Sequence, residues 1–280
     1  MAEYPGKFFE KNGLLTPIDQ FDPGFLNRSH YIYEVFRVID GIALFLEDHL
    51  ERLYNTLALS GYPKDFVPTG FPLQVYELIE ANKLKIGNIK VVVLPDSLDS
   101  RILMYVMEHQ YPSESDFQNG VALVLQEGVR ENPNAKVMDI ELRNNANLTK
   151  QRNNAYESLL VDTENCITEG SRSNVFFVKG EEVISPPLTD ILPGITYKHV
   201  AILCNQPGIT FREEKVPVER LPEFDGVFIT GTSRKVLPAF RIDEHHFRAD
   251  LPVVRRLQAA FNQKVEQYVG GVLAQKSNKA

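Results

Sequence analysis

The chain has 280 residues, 43% hydrophobic and 24% charged, an ordinary globular balance that excludes a small stapled scaffold and a disordered chain. Its formal charge of −7 disfavours nonspecific nucleic-acid binding, because a phosphate backbone needs a basic footprint and the Lys and Arg residues do not cluster into one. No window approaches the roughly 18 apolar residues of a membrane span, and Met1–Gly6 carries no basic segment ahead of an apolar stretch, so a cytoplasmic protein without membrane association is expected. The two cysteines, Cys166 and Cys204, read as buried small residues.

Residues 31–38 are β-branched and aromatic, Ile39-Asp40-Gly41 follows, and then comes the apolar run Ile42 to Leu46. Asp-Gly between two such runs predicts a hairpin, since a type I′ turn needs positive φ at both central residues. Alternation puts Tyr33, Val35 and Arg37 on one strand face and Glu34 and Phe36 on the other. From Glu47 to Ser60 an amphipathic helix is expected, with Leu46, Leu50, Leu53 and Leu57 as its stripe and Gly61 just past its end. Lys90–Leu94 and Ile102–Met107 read as strands.

The polar, turn-rich segment from Tyr111 to Asp116 sets a boundary, giving a smaller N-terminal domain over 1–115 and a larger C-terminal one over 116–280. Beyond it, strand-like runs fall at Val121–Leu125, Tyr156–Asp162, Asn174–Val178, Glu182–Ser185 and Gly226–Thr230. Helices are expected over Thr196–Asn205 and Leu251–Val272, the latter with Pro252 in its first turn. Residues 136–155 read two ways: Met138, Ile140 and Leu142 alternate like a strand, while the length and polarity suit a helix. The pattern is α/β or α+β in two domains.

Four segments then stand out in order: Tyr33-Glu34-Val35-Phe36-Arg37 with His49-Leu50-Glu51-Arg52-Leu53; Ile167-Thr168-Glu169-Gly170-Ser171-Arg172-Ser173-Asn174; Ile191-Leu192-Pro193-Gly194-Ile195-Thr196; and Ile229-Thr230-Gly231-Thr232-Ser233. Together they resemble the class IV aminotransferases, the fold-type IV pyridoxal-phosphate enzymes that include branched-chain and D-amino-acid transaminases and aminodeoxychorismate lyase. The likeness runs from about Tyr31 to about Pro238. It implies a two-domain fold with a small N-terminal α/β domain and a C-terminal pseudo-barrel that binds pyridoxal 5′-phosphate.

Such a cofactor needs a lysine for its Schiff base, a carboxylate opposite the pyridine nitrogen, and a cradle for a dianionic phosphate. By resemblance the lysine lies some thirty residues before Glu169, and counting back 33 reaches Lys136, whereas Lys150 is only 19 away. Where the family often writes Asn-Tyr after this lysine, Val137-Met138-Asp139-Ile140 follows, though Tyr156-Glu157 matches further on. Read alone, either lysine would be a solvated surface charge. The resemblance makes Glu169 the partner of the pyridinium nitrogen; without it, a Glu in a turn before Gly reads as surface.

A helix N-terminus offers N–H groups and a positive dipole end to a phosphate, and Gly194-Ile195-Thr196 opens a predicted helix. By resemblance Ile195, Thr196 and Thr232 contact the phosphate, Arg52 supplies a cation to it, and the Ser233 N–H meets the substrate carboxylate. Alone, Arg52 would be an exposed arginine beside the leucine stripe. Tyr197 stands where the family usually has arginine. Tyr33 and Arg37 are substrate-side candidates that suit packing of the small domain's sheet equally well. The six histidines lack metal-ligand spacing and no dinucleotide or P-loop motif occurs, so no metal site and no nucleotide is expected.

The implied reaction is ping-pong transamination of a small or branched-chain amino acid with a 2-keto acid acceptor. Elimination, as in aminodeoxychorismate lyases, is the alternative, but those often show Phe-Thr-Thr where this chain has Tyr33-Glu34-Val35. Arg101 is followed by Ile102-Leu103, which does not match the Arg-x-His carboxylate trap of some D-amino-acid transaminases. A non-catalytic binding protein on the same fold is a remoter reading, since the Lys, Glu, Arg and Thr set is complete. The resemblance also implies a homodimer in which residues 22–31 reach the partner's pocket, making Arg28 and His30 specificity candidates.

Overall fold

The computed structural model describes residues 4–24, 28, 30–97, 101–205 and 207–277. In chain order it gives β1 (Phe8–Lys11), β2 (Leu14–Pro17), β3 (His30–Ile39), β4 (Ile42–Ala43), α1 (Leu46–Leu59), α2 (Phe71–Ala81), β5 (Ile86–Val93) and β6 (Ile102–Met107). Next come α3 (Glu114–Asn119), β7 (Val121–Glu127), β8 (Val137–Asp139), α4 (Ile140–Arg152), β9 (Glu157–Val161), β10 (Cys166–Gly170), β11 (Asn174–Lys179) and β12 (Glu182–Ser185). The rest is α5 (Ile195–Cys204), β13 (Thr210–Glu213), β14 (Val216–Pro217), β15 (Gly226–Gly231), β16 (Lys235–Ile242), β17 (His245–His246) and α6 (Pro252–Ser277). Two compact units result, one of residues 1–110, 135–139 and 264–280, the other of 111–134 and 140–263. Lys136 thus belongs to the first unit.

The first unit is built on an antiparallel sheet in the order β2-β1-β6-β5-β3-β4, with β8 also pairing with β3. Asp40 and Gly41 have φ of 51° and 74°, the backbone the tight hairpin requires. The second strand of that hairpin stops at Ala43 rather than running on to Leu46. Phe45, at φ 52° and ψ 42°, breaks the pleat and turns the chain into α1, whose first N–H is capped by the Tyr268 hydroxyl. One face of β3, β5 and β6 packs Ile32, Phe36, Ile89, Val91 and Met104 against Leu53 and Leu57 of α1 and Phe71 and Leu78 of α2. The opposite face carries Tyr31, Tyr33, Val35 and Arg37.

The ambiguous stretch 136–155 is both things in turn: Val137–Asp139 pairs with β3, and Ile140–Arg152 is helix.

The second unit's sheet runs β13-β12-β11-β15-β16-β7-β9-β10-β14, with parallel pairs at β12/β13, β16/β7 and β7/β9. Its two edge strands, β13 and β14, are joined by only Glu214 and Lys215. A two-residue link reaches roughly 10 Å at most, so the end of β13 lies close to the start of β14 and the sheet curls back on itself as the expected pseudo-barrel requires. Val121, Leu159, Val175, Phe177, Ile229 and Leu237 fill it. Among the described residues no helix is long and apolar enough to cross a membrane.

Candidate active site

In the first unit, Lys136 is fixed from both sides. Its N–H donates to Thr56 Oγ1 of α1 at 3.1 Å and its carbonyl accepts from the Tyr33 N–H at 3.1 Å. Its ammonium lies 4.6 Å from the centre of the Tyr33 ring. Tyr33 is itself buried on the sheet face away from the helices.

Arg52 is buried, not exposed. Its Nε and Nη2 donate to the two oxygens of Glu34, each at 2.7 Å, and His49 Nδ1 lies 2.9 Å from the same carboxylate. The reason is positional: Glu34 points from β3 toward α1, where His49, Arg52 and Thr56 form a polar stripe beside the leucines. Burial works against the charged form of Glu34, but the Arg52 guanidinium and the His49 bond outweigh it and hold the carboxyl well below the usual range. Burial also depresses His49, with Glu34 opposing. A bidentate carboxylate leaves the guanidinium plane little freedom.

In the second unit, Glu169 is a buried strand residue rather than part of a surface turn. It sits in β10, where the register with β9 shifts between Ile167 and Gly170, a bulge that re-aims the side chain. One of its oxygens accepts from Arg130 Nε at 2.6 Å and the other from the Leu192 N–H at 3.2 Å, while Arg130 Nη2 reaches the Ser171 carbonyl at 3.1 Å. A cavity of about 290 Å³ touches Arg130, Glu169 and Thr168.

Gly194 caps α5, with Ile195 and Thr196 buried in the first turn. A side chain at 194 would collide with the Asn174 amide oxygen, and Asn174 in turn donates to the Leu192 carbonyl at 2.8 Å. Gly194 is thus needed for the packing of Asn174 against the start of α5. Thr232 and Ser233 form the half-buried turn between β15 and β16. Tyr197 is core: its hydroxyl donates to Glu213 at 3.1 Å and its ring stacks on Phe176.

Lys150 lies on α4, half-buried near Glu157, which is itself paired with Arg234 at 3.0 Å. Arg37 is half-buried on the Tyr33 face, while Arg28 and His30 are exposed, Arg28 beside a cavity of about 300 Å³ with Lys11 and Asp22. Arg130 and Lys90 have no motif to announce them in the sequence; Glu34 and Arg52 share the first motif segment, but their pairing is not legible in it.

The sequence matches the family model for amino-transferase class IV over residues 31–242. The chain belongs to the class IV aminotransferases. These are pyridoxal-phosphate-dependent transferases, and the residue set fits that cofactor: an amine held in place, a carboxylate fixed by a cation and an N–H, and a glycine-capped helix start. This aminotransferase is 28% identical to the D-alanine aminotransferase of Bacillus licheniformis over 94% of its own length and 96% of the relative's. Its fold is that of the branched-chain amino acid aminotransferase of Escherichia coli, with a TM-score of 0.79, 20% identity and coverage of 93% and 95%. The branched-chain amino acid aminotransferase of T.th., solved with pyridoxamine 5′-phosphate, gives 0.78 at 22% identity over 93% and 94%.

Proposed function

We propose that this aminotransferase moves an amino group from a small or branched-chain amino acid to a 2-keto acid, with Lys136 as the catalytic lysine. The observation that carries the reading is the clamping of Lys136 by Thr56 and by Tyr33, which holds one amine at a fixed place. When bound, pyridoxal phosphate supplies the electron sink that makes the substrate Cα–H acidic. The Lys136 Nζ takes that proton and returns it on the other side of the exchange. Glu34 sets the plane of Arg52, which would offer a phosphate its cation, and in the second unit the backbone at Ile195 and the side chains of Thr196 and Thr232 would offer it hydrogen bonds. Glu169, pinned by Arg130 and the Leu192 N–H, would accept a hydrogen bond from the cofactor's pyridine nitrogen and so favour its protonated form. Ser233, Tyr33, Arg37 and Arg28 serve the substrate.

The B. licheniformis relative's name and the branched-chain enzymes' shared fold support an aliphatic donor. Family resemblance supports a cytoplasmic homodimer, which a sedimentation measurement checks. The decisive test is the absorbance of purified protein with a panel of L- and D-amino acids, run alongside Lys136→Ala. A band at roughly 400–420 nm that bleaches with a small or branched-chain amino acid is expected, and the variant should lose about 10²–10⁴-fold or more in turnover. Absence of a band after incubation with pyridoxal phosphate overturns the reading.

A further inference from the structure

The turn between β15 and β16 is a three-residue loop. Gly231 pairs with Lys235 across the hairpin, the Arg234 N–H donates to the Gly231 carbonyl at 3.1 Å, and Lys235 follows at φ 54°. That last position is left-handed, and hairpin loops of this length usually place glycine there. Thr232-Ser233-Arg234-Lys235 offers neither glycine nor asparagine, so longer-range contacts hold the shape. Lys235 makes an exposed one, its Nζ donating to Asn262 at 2.7 Å. Arg234 makes a buried one.

The Arg234 side chain is 15% exposed and reaches two other segments. Its Nη1 donates to the Arg172 carbonyl at 3.2 Å, and its Nη2 lies 3.0 Å from Oε2 of Glu157, a fully buried carboxylate at the start of β9. The guanidinium also lies 5.5 Å from the centre of the Tyr156 ring. Glu157 accepts in addition from the hydroxyls of Ser171 at 2.7 Å and Ser173 at 3.4 Å and from the Ser158 N–H at 3.0 Å. Burial works against its charged form, but Arg234, then Lys150 and the Ser171 and Ser158 bonds, outweigh burial and hold the carboxyl below its usual range. One fixed charge thus ties residues 171–173, which directly follow Glu169 and Gly170, to the turn that carries Thr232 and Ser233.

We propose that Arg234, anchored on Glu157, is a positioning residue that fixes the turn of Thr232 and Ser233 against the strand of Glu169, so that the two segments meet one bound cofactor at a set spacing. This rests on the reading of Thr232 and Glu169 as cofactor-binding residues. The cofactor's ring sets the separation between its phosphate and its nitrogen, so segments already held at that spacing pay no ordering cost on binding. The guanidinium holds them with two arms, one on the carboxylate and one on the Arg172 carbonyl, which fix a plane as well as a distance. An ammonium at the same place keeps the charge and lacks the planar fork.

The test compares wild type with Arg234→Met, Arg234→Lys and, as a stability control, Ile184→Ala, a buried truncation in β12, which pairs with neither β10 nor β15. The dissociation constant of pyridoxal phosphate is measured by equilibrium dialysis of the holoprotein, amide exchange is followed for residues 231–235, and urea midpoints are recorded. Arg234→Lys should keep a midpoint near wild type, because Glu157 stays paired, yet weaken the cofactor by roughly 10–100-fold and speed exchange in the turn by about tenfold. Arg234→Met should do the same and lose midpoint as well. Ile184→Ala should lower the midpoint and leave cofactor affinity within about twofold. Affinity unchanged in Arg234→Met, restored in Arg234→Lys, or weakened as much by Ile184→Ala, overturns the proposal. If Arg234→Met does not fold, Arg234→Lys decides alone. A wild type that takes up no cofactor sinks the aminotransferase reading, and exchange in the turn then decides whether Arg234 fixes it: rates unchanged in the Arg234 variants overturn that too.

Discussion

The two sheets hold their buried carboxylates in different ways. In the first unit Glu34 sits mid-strand and is met side chain to side chain, by Arg52 and His49 from the facing helix. In the second unit the acids sit at irregularities: Glu157 opens β9, with Ser171 and its own neighbour's N–H on one oxygen, and Glu169 occupies a bulge with Arg130 on one side and a backbone N–H on the other. Within a regular strand the backbone groups are committed to the ladder, so Glu34 is met by another element's side chains. At the start of β9 the Ser158 N–H turns to Glu157, and at the bulge Glu169 is re-aimed toward the Leu192 N–H in the loop before α5. The first arrangement stakes stability on one ion pair. The second spreads the carboxylate's bonds over chain and side chain.

The largest expected effect follows from that contrast. Arg52→Met strands Glu34 in the core and should cost about 3–5 kcal/mol, read as a fall in the urea midpoint at pH 8. Because the folded Glu34 carboxyl is depressed, its stabilisation is complete above its ordinary 4.5 and is lost as pH falls further, so the gap between variant and wild type should narrow in acid. A gap constant with pH would show that packing, not charge, carries the loss. Arg130→Met should cost less, about 1–3 kcal/mol, since Glu169 keeps the Leu192 N–H and borders a cavity water can enter. Its larger effect should be on cofactor retention, measured by dialysis. Equal stability losses for the two variants would erase the difference between the sheets.

How much was legible depends on the same distinction. The Asp40-Gly41 hairpin, the leucine stripe of α1 and Glu182–Ser185 follow from local chemistry and periodicity, and the structure has them. α2 also carries its signal, with Phe71, Val75, Leu78 and Ile79 at helical spacing. The strand with Glu169 does not: Thr-Glu-Gly reads as a turn, and only pairing with β9 shows it to be a bulged strand. Within the site, the four motif segments mark Arg52, Glu169, Thr196 and Thr232, because each is contiguous, and Lys136 is reached only by its distance of 33 residues from Glu169. The pairings Arg130–Glu169 and Lys90–Tyr31 span 39 and 59 residues and belong to register, which no single segment encodes.

Glu10 tests the comparison from inside the first sheet. It is a mid-strand acid like Glu34, 2% exposed, but its bond is to the Gly13 N–H across a tight turn and Glu77 lies nearby. Burial foremost, then Glu77, push its carboxyl up to about 7 against the pull of the Gly13 N–H. A raised acid favours the folded state while protonated, so this contribution is complete below about 4.5 and is lost as pH rises through about 7. Glu10→Gln imitates the protonated form and keeps an acceptor for Gly13. The variant should match wild type within error at pH 4 and exceed it by on the order of 3 kcal/mol at pH 8, the reverse of the trend for Arg52→Met. Parallel urea midpoints across that range would mean Glu10 stays ionised in the fold, and that a mid-strand acid in this sheet needs no cation to remain charged.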